Sequence, residues 1–178
     1  MPDLEEMLVV VSENNNPQTF LTKARTHEKE FYHRSIQVYI IQDGKIWIQQ
    51  RPLDKKFGGK FEPVGGHVNE DDYNIDQEGY LQCARRETIE EVGIDSRSYV
   101  HLLDIPATEQ TGKEFNRVYK LRTELDPKPN PKETIPEGSY FRTPEEIEEI
   151  IERGEASPSL VHTWPLIKDQ LKWEEEQY

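Results

Sequence analysis

Three glutamates near the middle of the chain, Glu87, Glu90 and Glu91, have the residue type and spacing of a metal site. If their segment is helical, Glu87 and Glu91 lie one turn apart and Glu90 lies beside them on the same face. Carboxylates crowded in this way repel one another unless a cation lies between them. Mg²⁺ takes oxygen ligands, often carboxylates together with substrate phosphates. The spacing therefore predicts a site for a metal-bound phosphate substrate.

A second acidic segment, residues 144–153, provides an internal comparison. It is at least as acidic as the segment with the three glutamates, but no Gly-Gly pair precedes it and it contains no Arg-Glu pair. We interpret residues 144–153 as an ordinary amphipathic surface helix. The combined spacing favours a functional role for the first segment only.

The three glutamates lie within a longer pattern that runs from Gly65 to Ile94. Its members are Gly65-Gly66, Glu78, Arg86-Glu87, Thr88 in a position that is otherwise hydrophobic, Glu90-Glu91 and Gly93-Ile94. This order resembles the Nudix box of pyrophosphohydrolases. Eleven residues separate Gly66 from Glu78, more than the box usually has, so we place a polar insertion at about residues 69–74. Extra length in a loop before a helix adds little closure entropy.

The resemblance implies an α/β/α sandwich with a mixed β-sheet and a metal-dependent reaction. The implied ligands of Mg²⁺ or Mn²⁺ are the carbonyl of Gly66 and the carboxylates of Glu87, Glu90 and Glu91. Divalent ions neutralise diphosphate oxygens, orient the diphosphate and lower the pKa of a bound water. Arg86 would orient a box glutamate, and Glu78 would support the junction between loop and helix.

The general base stays open at the level of sequence. It could be a box glutamate or a glutamate from a later segment, and the later candidates are Glu109, Glu114, Glu133 and Glu137.

A looser resemblance covers most of the chain and indicates the Nudix branch that contains type 1 isopentenyl diphosphate isomerase. The segments that carry it are residues 9–14, Lys23, His27, residues 33–35, residues 50–56, residues 65–67 and residues 157–158. It implies that Lys23, Arg51 and Lys55 contact a substrate diphosphate. A basic cluster next to the box of an acidic protein is consistent with that role, because Arg binds phosphate bidentately and Lys binds it as a point charge.

In the isomerase, histidines that match His27, His33 and His67 help to bind a divalent metal. Imidazoles that meet in space can ligate a transition metal. Because no cysteine occupies position 65 and no acidic ligand aligns, we expect these histidines to form no second metal site. We place only His67 in the active site, because it follows the Gly66 carbonyl.

The isomerase chemistry itself is expected to be absent. Its catalytic cysteine falls at Gly65, and its acidic partner on a later strand aligns with Arg117, with Glu114 displaced from that position. The isomerase also tends to lose box glutamates that this chain keeps. The sequence therefore predicts a hydrolase that cleaves a nucleoside diphosphate linked to another group, or a similar small diphosphate. The alternatives are an isomerase-like enzyme and a catalytically silent diphosphate-binding sensor.

Composition limits the remaining possibilities. The 178 residues fit a single domain, 1–178, with an N-terminal extension at 1–34 and the box with its insertion at 65–94. A net charge of −13 argues against a nucleic-acid partner, since phosphate backbones are bound by Lys and Arg. The apolar runs are far too short for a membrane span, and the acidic beginning does not resemble a secretory signal. We expect a cytoplasmic protein, and a homodimer is compatible with the sequence.

Alternating strands and a few helices must position these residues. Strands are predicted at residues 7–12, 35–42, 45–50, 60–64, 99–105, 115–123 and 139–142, with an extended segment at 18–24. Helices are predicted at residues 77–92, at 144–153 after Thr143 as N-cap, and at 160–173 with a break at Pro165. The pair Asp43-Gly44 predicts a tight hairpin, and Gly93 suits a left-handed helix end.

Several side chains within these elements are also assigned. Leu81, Thr88, Ile89 and Val92 are predicted to form the apolar stripe of the box helix. Trp47 is expected to face away from Ile46 and Ile48 as an exposed aromatic, whereas Trp164 and Trp173 are expected to be packing residues.

Overall fold

One mixed β-sheet with helices on both faces organises the computed structural model of the chain, which describes residues 5–171. The strands are β1 (Met7–Val11), β2 (Pro17–Thr22), β3 (His33–Gln42), β4 (Lys45–Gln50), β5 (Phe61–Glu62), β6 (Val64–His67), β7 (Tyr99–Ile105), β8 (Glu114–Arg122) and β9 (Ile135–Arg142). The helices are α1 (Lys23–Glu28), α2 (Glu70–Ile75), α3 (Tyr80–Val92), α4 (Pro144–Glu152) and α5 (Pro158–Leu171).

Strand β3 is the centre of the sheet. It pairs in parallel with β8 over most of its length, and it pairs antiparallel with β1, β4 and β6. Strand β4 extends the sheet to β5 and β9, β8 extends it to β7, and β1 extends it to β2. The β3–β4 hairpin turns at Asp43-Gly44, as predicted, with positive φ at both residues.

Side chains that alternate along β3 form two apolar layers. Ile36, Val38 and Ile40 point towards α3 and pack with Cys83, Ala84 and Val92. Tyr39 and Ile41 point towards α4 and α5 and pack with Ile147, Leu160 and Trp164. Because β3 is covered on both faces, all of its residues except Gln42 are buried. The predicted α/β/α sandwich with a mixed sheet is confirmed.

The box helix α3 begins at Tyr80, later than the predicted Gln77. Gly79 adopts the left-handed conformation with φ of 75°, which glycine adopts without a steric penalty. The carbonyls of Gln77 and Glu78 accept hydrogen bonds from Arg34 Nη1 at 3.1 and 3.0 Å, so an arginine from β3 holds this segment outside the helix. The helix ends at Gly93 with φ of 68°, as predicted.

The insertion contains a short helix that the sequence analysis placed in a loop. Helix α2 begins after Asn69, whose side chain accepts from the Asp72 N–H while the Asp72 carboxylate accepts from the Asn69 N–H. This reciprocal pair is a capping box. It gives the insertion a defined shape and buries the Asp72 side chain.

Three assignments of the sequence analysis are wrong for reasons of packing. Trp47 faces away from Ile46 and Ile48 as expected, but it is buried in the layer beneath α3 rather than exposed. Helix α5 continues through Pro165 without a break, because buried residues on both sides of the proline, including Trp164 and Ile167, anchor it in one core.

The third wrong assignment is half of the predicted stripe of α3, since Thr88 and Val92 are buried as predicted. Leu81 and Ile89 are exposed, and the buried face is formed by Tyr80, Cys83, Ala84, Thr88 and Val92. Trp164 is a packing residue as predicted, and Trp173 lies outside the described residues.

Within the part of the chain that the structure describes, none of the helices has the length and apolar character needed to cross a membrane.

Candidate active site

Helix α3 holds two of its glutamates against the glycine pair on β6. The Glu87 carboxylate lies directly on Gly66, where a Cβ atom would collide with it. The Glu91 carboxylate accepts the Gly65 N–H and a hydrogen bond of 2.6 Å from Gln49 Nε2. Each of the two glutamates is only 9% exposed. The one-turn spacing in the sequence therefore places two buried carboxylates next to each other, in contact with the backbone of Gly65 and Gly66.

Glu90 lies farther out than the other two box glutamates. Its side chain is 51% exposed, and its carboxylate lies 3.3 Å from Arg86 Nη1. The same Nη1 atom also donates to Glu87 at 2.9 Å. Arg86 thus connects the exposed Glu90 to the buried Glu87.

Burial raises the pKa of both inner glutamates above their ordinary value. The pKa of Glu87 rises from 4.5 to about 8, mainly because of burial, although Arg86 opposes the rise. The pKa of Glu91 rises well above its ordinary value because of burial and of the neighbouring charges of Glu87 and Glu62. Two buried carboxylates that interact with each other and have raised pKa values are a donor set that a hard divalent cation fits.

These pKa shifts predict that the metal-free protein loses stability as the pH rises. The folded state binds protons at Glu87 and Glu91 more tightly than the unfolded chain, so their contribution to stability is complete below the ordinary pKa of 4.5 and is lost as the pH rises through the raised pKa of Glu87, about 8. The loss should be on the order of a few kcal/mol. Urea unfolding in a chelator at several pH values measures it, and added Mg²⁺ at pH 8 should restore stability because it binds only the folded state.

A matched control for this prediction exists on α4. The double variant Glu87→Gln/Glu91→Gln should flatten the pH profile, whereas Glu145→Gln/Glu149→Gln, an exposed pair with the same spacing, should leave the slope unchanged. An equal slope in wild type and in the Glu87/Glu91 variant would contradict the assignment.

A second cluster of ligand-type side chains contains His27, His33, His67 and Glu114, whose candidate ligand atoms all lie within 4.8 Å of one another. His27 comes from α1, and the other three come from neighbouring ends of β3, β6 and β8. The expectation that the histidines form no site is wrong, because the structure brings their ring nitrogens together with a carboxylate oxygen. Strand register explains the convergence, because β3 pairs His33 with Glu114 and Ser35 with His67.

Hydrogen bonding directs the His33 ring towards the centre of this His/Glu cluster. Nδ1 of His33 donates to the Phe31 carbonyl at 2.8 Å, and this bond directs its Nε2 into the cluster. That Nε2 lies 3.3 Å from both His27 Nε2 and Glu114 Oε1, and His67 Nε2 lies 2.9 Å from the same oxygen. Burial together with the other two rings lowers the pKa of His27 to about 4, and the rings hold the pKa of Glu114 well below its usual range despite burial. The cluster could hold a metal ion.

The alignment that placed Arg117 at the isomerase's acidic position is corrected by the strand register. Glu114 and Asn116 share the face of β8 that meets His33 and Ser35 on β3. Arg117 lies on the opposite face, where it pairs with Asp104 and Glu78. The displaced residue of the sequence alignment, Glu114, is therefore the one that reaches the histidines.

The predicted phosphate-binding residues have separate neighbours. Nη1 of Arg51 donates to both carboxylate oxygens of Glu62 on β5 at 2.7 and 2.8 Å, and Lys55 is exposed in the turn after β4. Lys23 begins α1 near His27, and its Nζ lies 3.7 Å from Glu6. His67 belongs to the His/Glu cluster through its ring.

Glu62 and Gln49 are site residues that the sequence analysis missed. They are cross-strand neighbours on β5 and β4, Gln49 contacts Glu91, and burial raises the pKa of Glu62. No local motif marks Gln49. The position of Glu62, three residues before Gly65, is a sequence signal that could have indicated a site residue.

The remaining predicted residues have different neighbours. Glu78 is exposed beside the start of α3 and pairs with Arg117 at 2.9 Å. Of the later general-base candidates, Glu109 is exposed and pairs with Lys113, Glu133 and Glu137 are exposed, and Glu114 lies in the His/Glu cluster.

Comparisons with known proteins agree with this architecture. The structure of DR0079 from Deinococcus radiodurans is 27% identical, with a TM-score of 0.69 over 85% of this chain and 92% of that one. The NUDIX domain of Shewanella oneidensis NrtR, solved with ADP ribose, is 12% identical, with a TM-score of 0.61 over 85% and 99%. A MutT protein from Methanosarcina mazei Go1 is 19% identical, with a TM-score of 0.54 over 82% and 96%. The comparison with curated proteins found no match.

A family comparison matches residues 31–163 to the NUDIX domain. The match includes strands β3 to β9, the glycine pair, the box helix and α4, and therefore covers most of the sheet as well as the box. The chain belongs to the Nudix domain family, and this match supports a hydrolase that acts on phosphoanhydride bonds.

Proposed function

We propose that the protein is a metal-dependent pyrophosphohydrolase that cleaves a nucleoside diphosphate linked to another group, or a similar small diphosphate. The observation that carries the proposal is the buried pair of Glu87 and Glu91 on the Gly65-Gly66 backbone. The pair is unfavourable without a cation and well suited to one. The ADP ribose bound to the NUDIX domain of NrtR, which has the same fold, supports a nucleoside diphosphate as substrate class.

The proposed metal ligands are Glu87, Glu90 and Glu91, with the carbonyl of Gly66. When bound, Mg²⁺ or Mn²⁺ would neutralise the diphosphate oxygens and activate water. Arg86 orients Glu87 and Glu90 through one nitrogen, and Glu78 steadies the start of α3 through Arg117.

Four residues are proposed to bind the diphosphate, namely Lys23, Arg51, Lys55 and His67. Arg51 supports this role because its Nη1 donates to both oxygens of Glu62, and Glu62 is the cross-strand neighbour of Gln49, which donates to Glu91. Lys55 is exposed in the turn after β4, so its ammonium group is accessible to a phosphate. For the general base we favour a box glutamate, because Glu109, Glu133 and Glu137 are exposed and Glu114 faces the histidines.

We also propose that the His/Glu cluster binds a second cation. Three imidazoles and one carboxylate suit a transition metal better than Mg²⁺, which prefers oxygen donors. The positions of the three histidines and the carboxylate support the proposed likeness to the isopentenyl diphosphate isomerase branch.

The second site predicts tight binding of Co²⁺, a spectroscopic probe of imidazole ligation. Wild-type protein titrated with Co²⁺ should develop a visible absorption band at one equivalent, and His27→Ala should weaken that binding by at least about tenfold. His162→Ala, which removes an exposed histidine on α5, is the matched control. Binding that is equally tight in the His27 variant would remove the cluster as a metal site.

Isomerase chemistry is the weaker alternative. Gly65 pairs with Gln37, and the Gln37 amide donates to Asn116, so amides rather than a thiol and a carboxyl occupy this part of the sheet. Amides cannot exchange protons with carbon at neutral pH. A silent diphosphate-binding sensor is also less well supported, because all three box glutamates are present.

We propose that residues 1–178 form one domain in which residues 1–34 are an extension of the Nudix unit. The support is that β1 and β2 join the central sheet and α1 contributes His27 to the cluster. The homodimer and the cytoplasmic location stay predictions.

The proposed activity is tested by a panel of nucleoside diphosphate compounds and prenyl diphosphates incubated with Mg²⁺. Phosphate-containing products and alkene isomers are both followed. We expect cleavage of at least one nucleoside diphosphate compound and no conversion of isopentenyl diphosphate. Isomer among the products would overturn the assignment, and binding without turnover of any compound would favour the sensor.

A further inference from the structure

Arg86 is surrounded by carboxylates from three separate parts of the chain. Its Nη1 donates to Glu87 and Glu90 on its own helix, its Nε and Nη2 donate to Asp72 on α2, and Glu6 lies 3.6 Å from Nη2. Its Nη2 also donates to the His67 carbonyl at 3.0 Å. The guanidinium therefore has one edge towards the box glutamates and another towards the insertion.

Asp72 is the most completely buried carboxylate around this guanidinium. It is 3% exposed, and its two oxygens accept from Arg86 Nε at 3.1 Å and from Arg86 Nη2 at 2.9 Å. A bidentate pair of this kind restricts both the position and the plane of the guanidinium. Asp72 comes from the insertion that lengthens the box, so this contact depends on a feature of this chain rather than on the box pattern.

A positive guanidinium next to the box glutamates competes with any cation for them. If Glu87 and Glu90 held a divalent ion, they would no longer neutralise Arg86, and its positive charge would repel the ion. Asp72 would offset that charge from the far edge of the guanidinium and hold the group in place through its two hydrogen bonds. Glu6 is the other carboxylate outside the box that lies near Arg86. At 3.6 Å from Nη2 it is beyond hydrogen-bond distance, so it would neutralise Arg86 less effectively than Asp72 does.

We infer that Asp72 is a positioning residue that holds Arg86 away from the incoming cation and thereby sets the affinity of the box for divalent metal. The inference rests on the proposed metal-dependent function, because it concerns the same glutamates. It assigns a role to the insertion, which supplies a charge that the box itself does not contain.

Isothermal titration of Mn²⁺ into the metal-free protein tests the inference without any substrate. Asp72→Asn should weaken Mn²⁺ binding at the box by about 10- to 100-fold, as outer-sphere partners of metal ligands commonly do. Activity should respond in the same sense, with a higher Mn²⁺ concentration needed for half-maximal rate and a much smaller change in the rate at saturating metal. A merely structural loss would not produce that separation.

The matched control is Asp71→Asn, one position earlier on α2. Asp71 is exposed, and its replacement removes the same charge from the same helix without removing an Arg86 partner. Its Mn²⁺ affinity should stay within about threefold of wild type, since exposed charges are screened by salt. If Mn²⁺ binding were weakened equally in both variants, Asp72 would act only through its general negative charge, and the inference would be overturned.

A second pair of variants separates the Arg86 contact from the capping box. Both Glu and Gln serve as the third residue of a capping box, so Asp72→Glu and Asp72→Gln each keep a side chain for the Asn69 N–H. Only Asp72→Glu keeps the charge, and it should bind Mn²⁺ more tightly than Asp72→Gln. This comparison remains informative if Asp72→Asn does not fold. Equal affinities in the Glu and Gln variants would contradict the positioning role.

The failure of the inference differs from the failure of the proposed function. If wild-type protein binds no Mn²⁺ at the glutamates, as judged by comparison with Glu87→Gln/Glu91→Gln, the metal-dependent function fails and the inference fails with it. If wild type binds Mn²⁺ and Asp72→Asn binds it equally well, only the inference fails.

Discussion

Glu91→Gln is expected to reduce the rate of diphosphate hydrolysis by about 10³-fold, which corresponds to about 4 kcal/mol of transition-state stabilisation. The glutamine keeps the shape of the side chain and can still contact Gln49, but it removes a proposed metal ligand. The fold should survive, because burial already raises the pKa of Glu91 and disfavours its charge in the metal-free protein. Steady-state rates at saturating Mg²⁺ and a thermal melt measure the two effects separately.

Glu149→Gln on α4 is the control for this prediction, since it removes an exposed glutamate from the other acidic helix. Its rate should equal that of wild type. A Glu91→Gln protein with full activity, or wild-type activity in excess chelator, would contradict a metal site at the box.

Gly66→Ala is expected to have an effect of similar size by a steric route. An added Cβ would collide with the Glu87 carboxylate and with Glu87 Cγ, so the Glu87 side chain must swing away from Gly66. Activity should therefore fall by about 100-fold or more, while stability changes by less than about 1 kcal/mol. Rates and urea midpoints of the purified variant test both parts.

Gly65→Ala is the comparison for Gly66→Ala. Its Cβ would lie 3.2 Å from the Ile36 carbonyl and would not meet a glutamate, so the loss of activity should be much smaller. If the two variants lose activity equally, the specific contact between Gly66 and Glu87 is not what the site depends on.

The parts of the structure that depend on local sequence could be predicted. The hairpin at Asp43-Gly44, the end of α3 at Gly93 and the start of α4 at Thr143 each depend on a few neighbouring residues. The closeness of Glu87 and Glu91 follows from helical spacing alone. These predictions needed no knowledge of the sheet.

The His/Glu cluster could not be predicted, because its members meet through strand pairing. His33 and Glu114 are far apart in sequence and become neighbours only when β8 pairs in parallel with β3. A shift of the alignment by a few residues, from Glu114 to Arg117, was enough to hide the cluster. The face of a strand on which a residue lies changes with each residue, so a displaced acidic ligand cannot be judged without the register.

Tertiary packing explains the other failures. The exposed face of α3 was misassigned because Leu81 and Ile89 are apolar but point away from the sheet. Asp72 was read as one polar residue in an insertion, whereas the capping box with Asn69 turns it towards Arg86. In each case the decisive contact is made by a segment that is distant in the chain or folded in an unexpected way.

The central claim, that Glu87 and Glu91 hold a divalent ion that directs water to a diphosphate, is tested most directly by turnover in ¹⁸O-labelled water. The substrate is the best compound from the nucleoside diphosphate panel, with Mg²⁺ present, and the products are analysed by mass spectrometry. We predict cleavage between the two phosphorus atoms, with one ¹⁸O atom in a phosphate product, and loss of that product in Glu87→Gln/Glu91→Gln. Label on carbon, or unchanged product formation by the double variant, would contradict the claim.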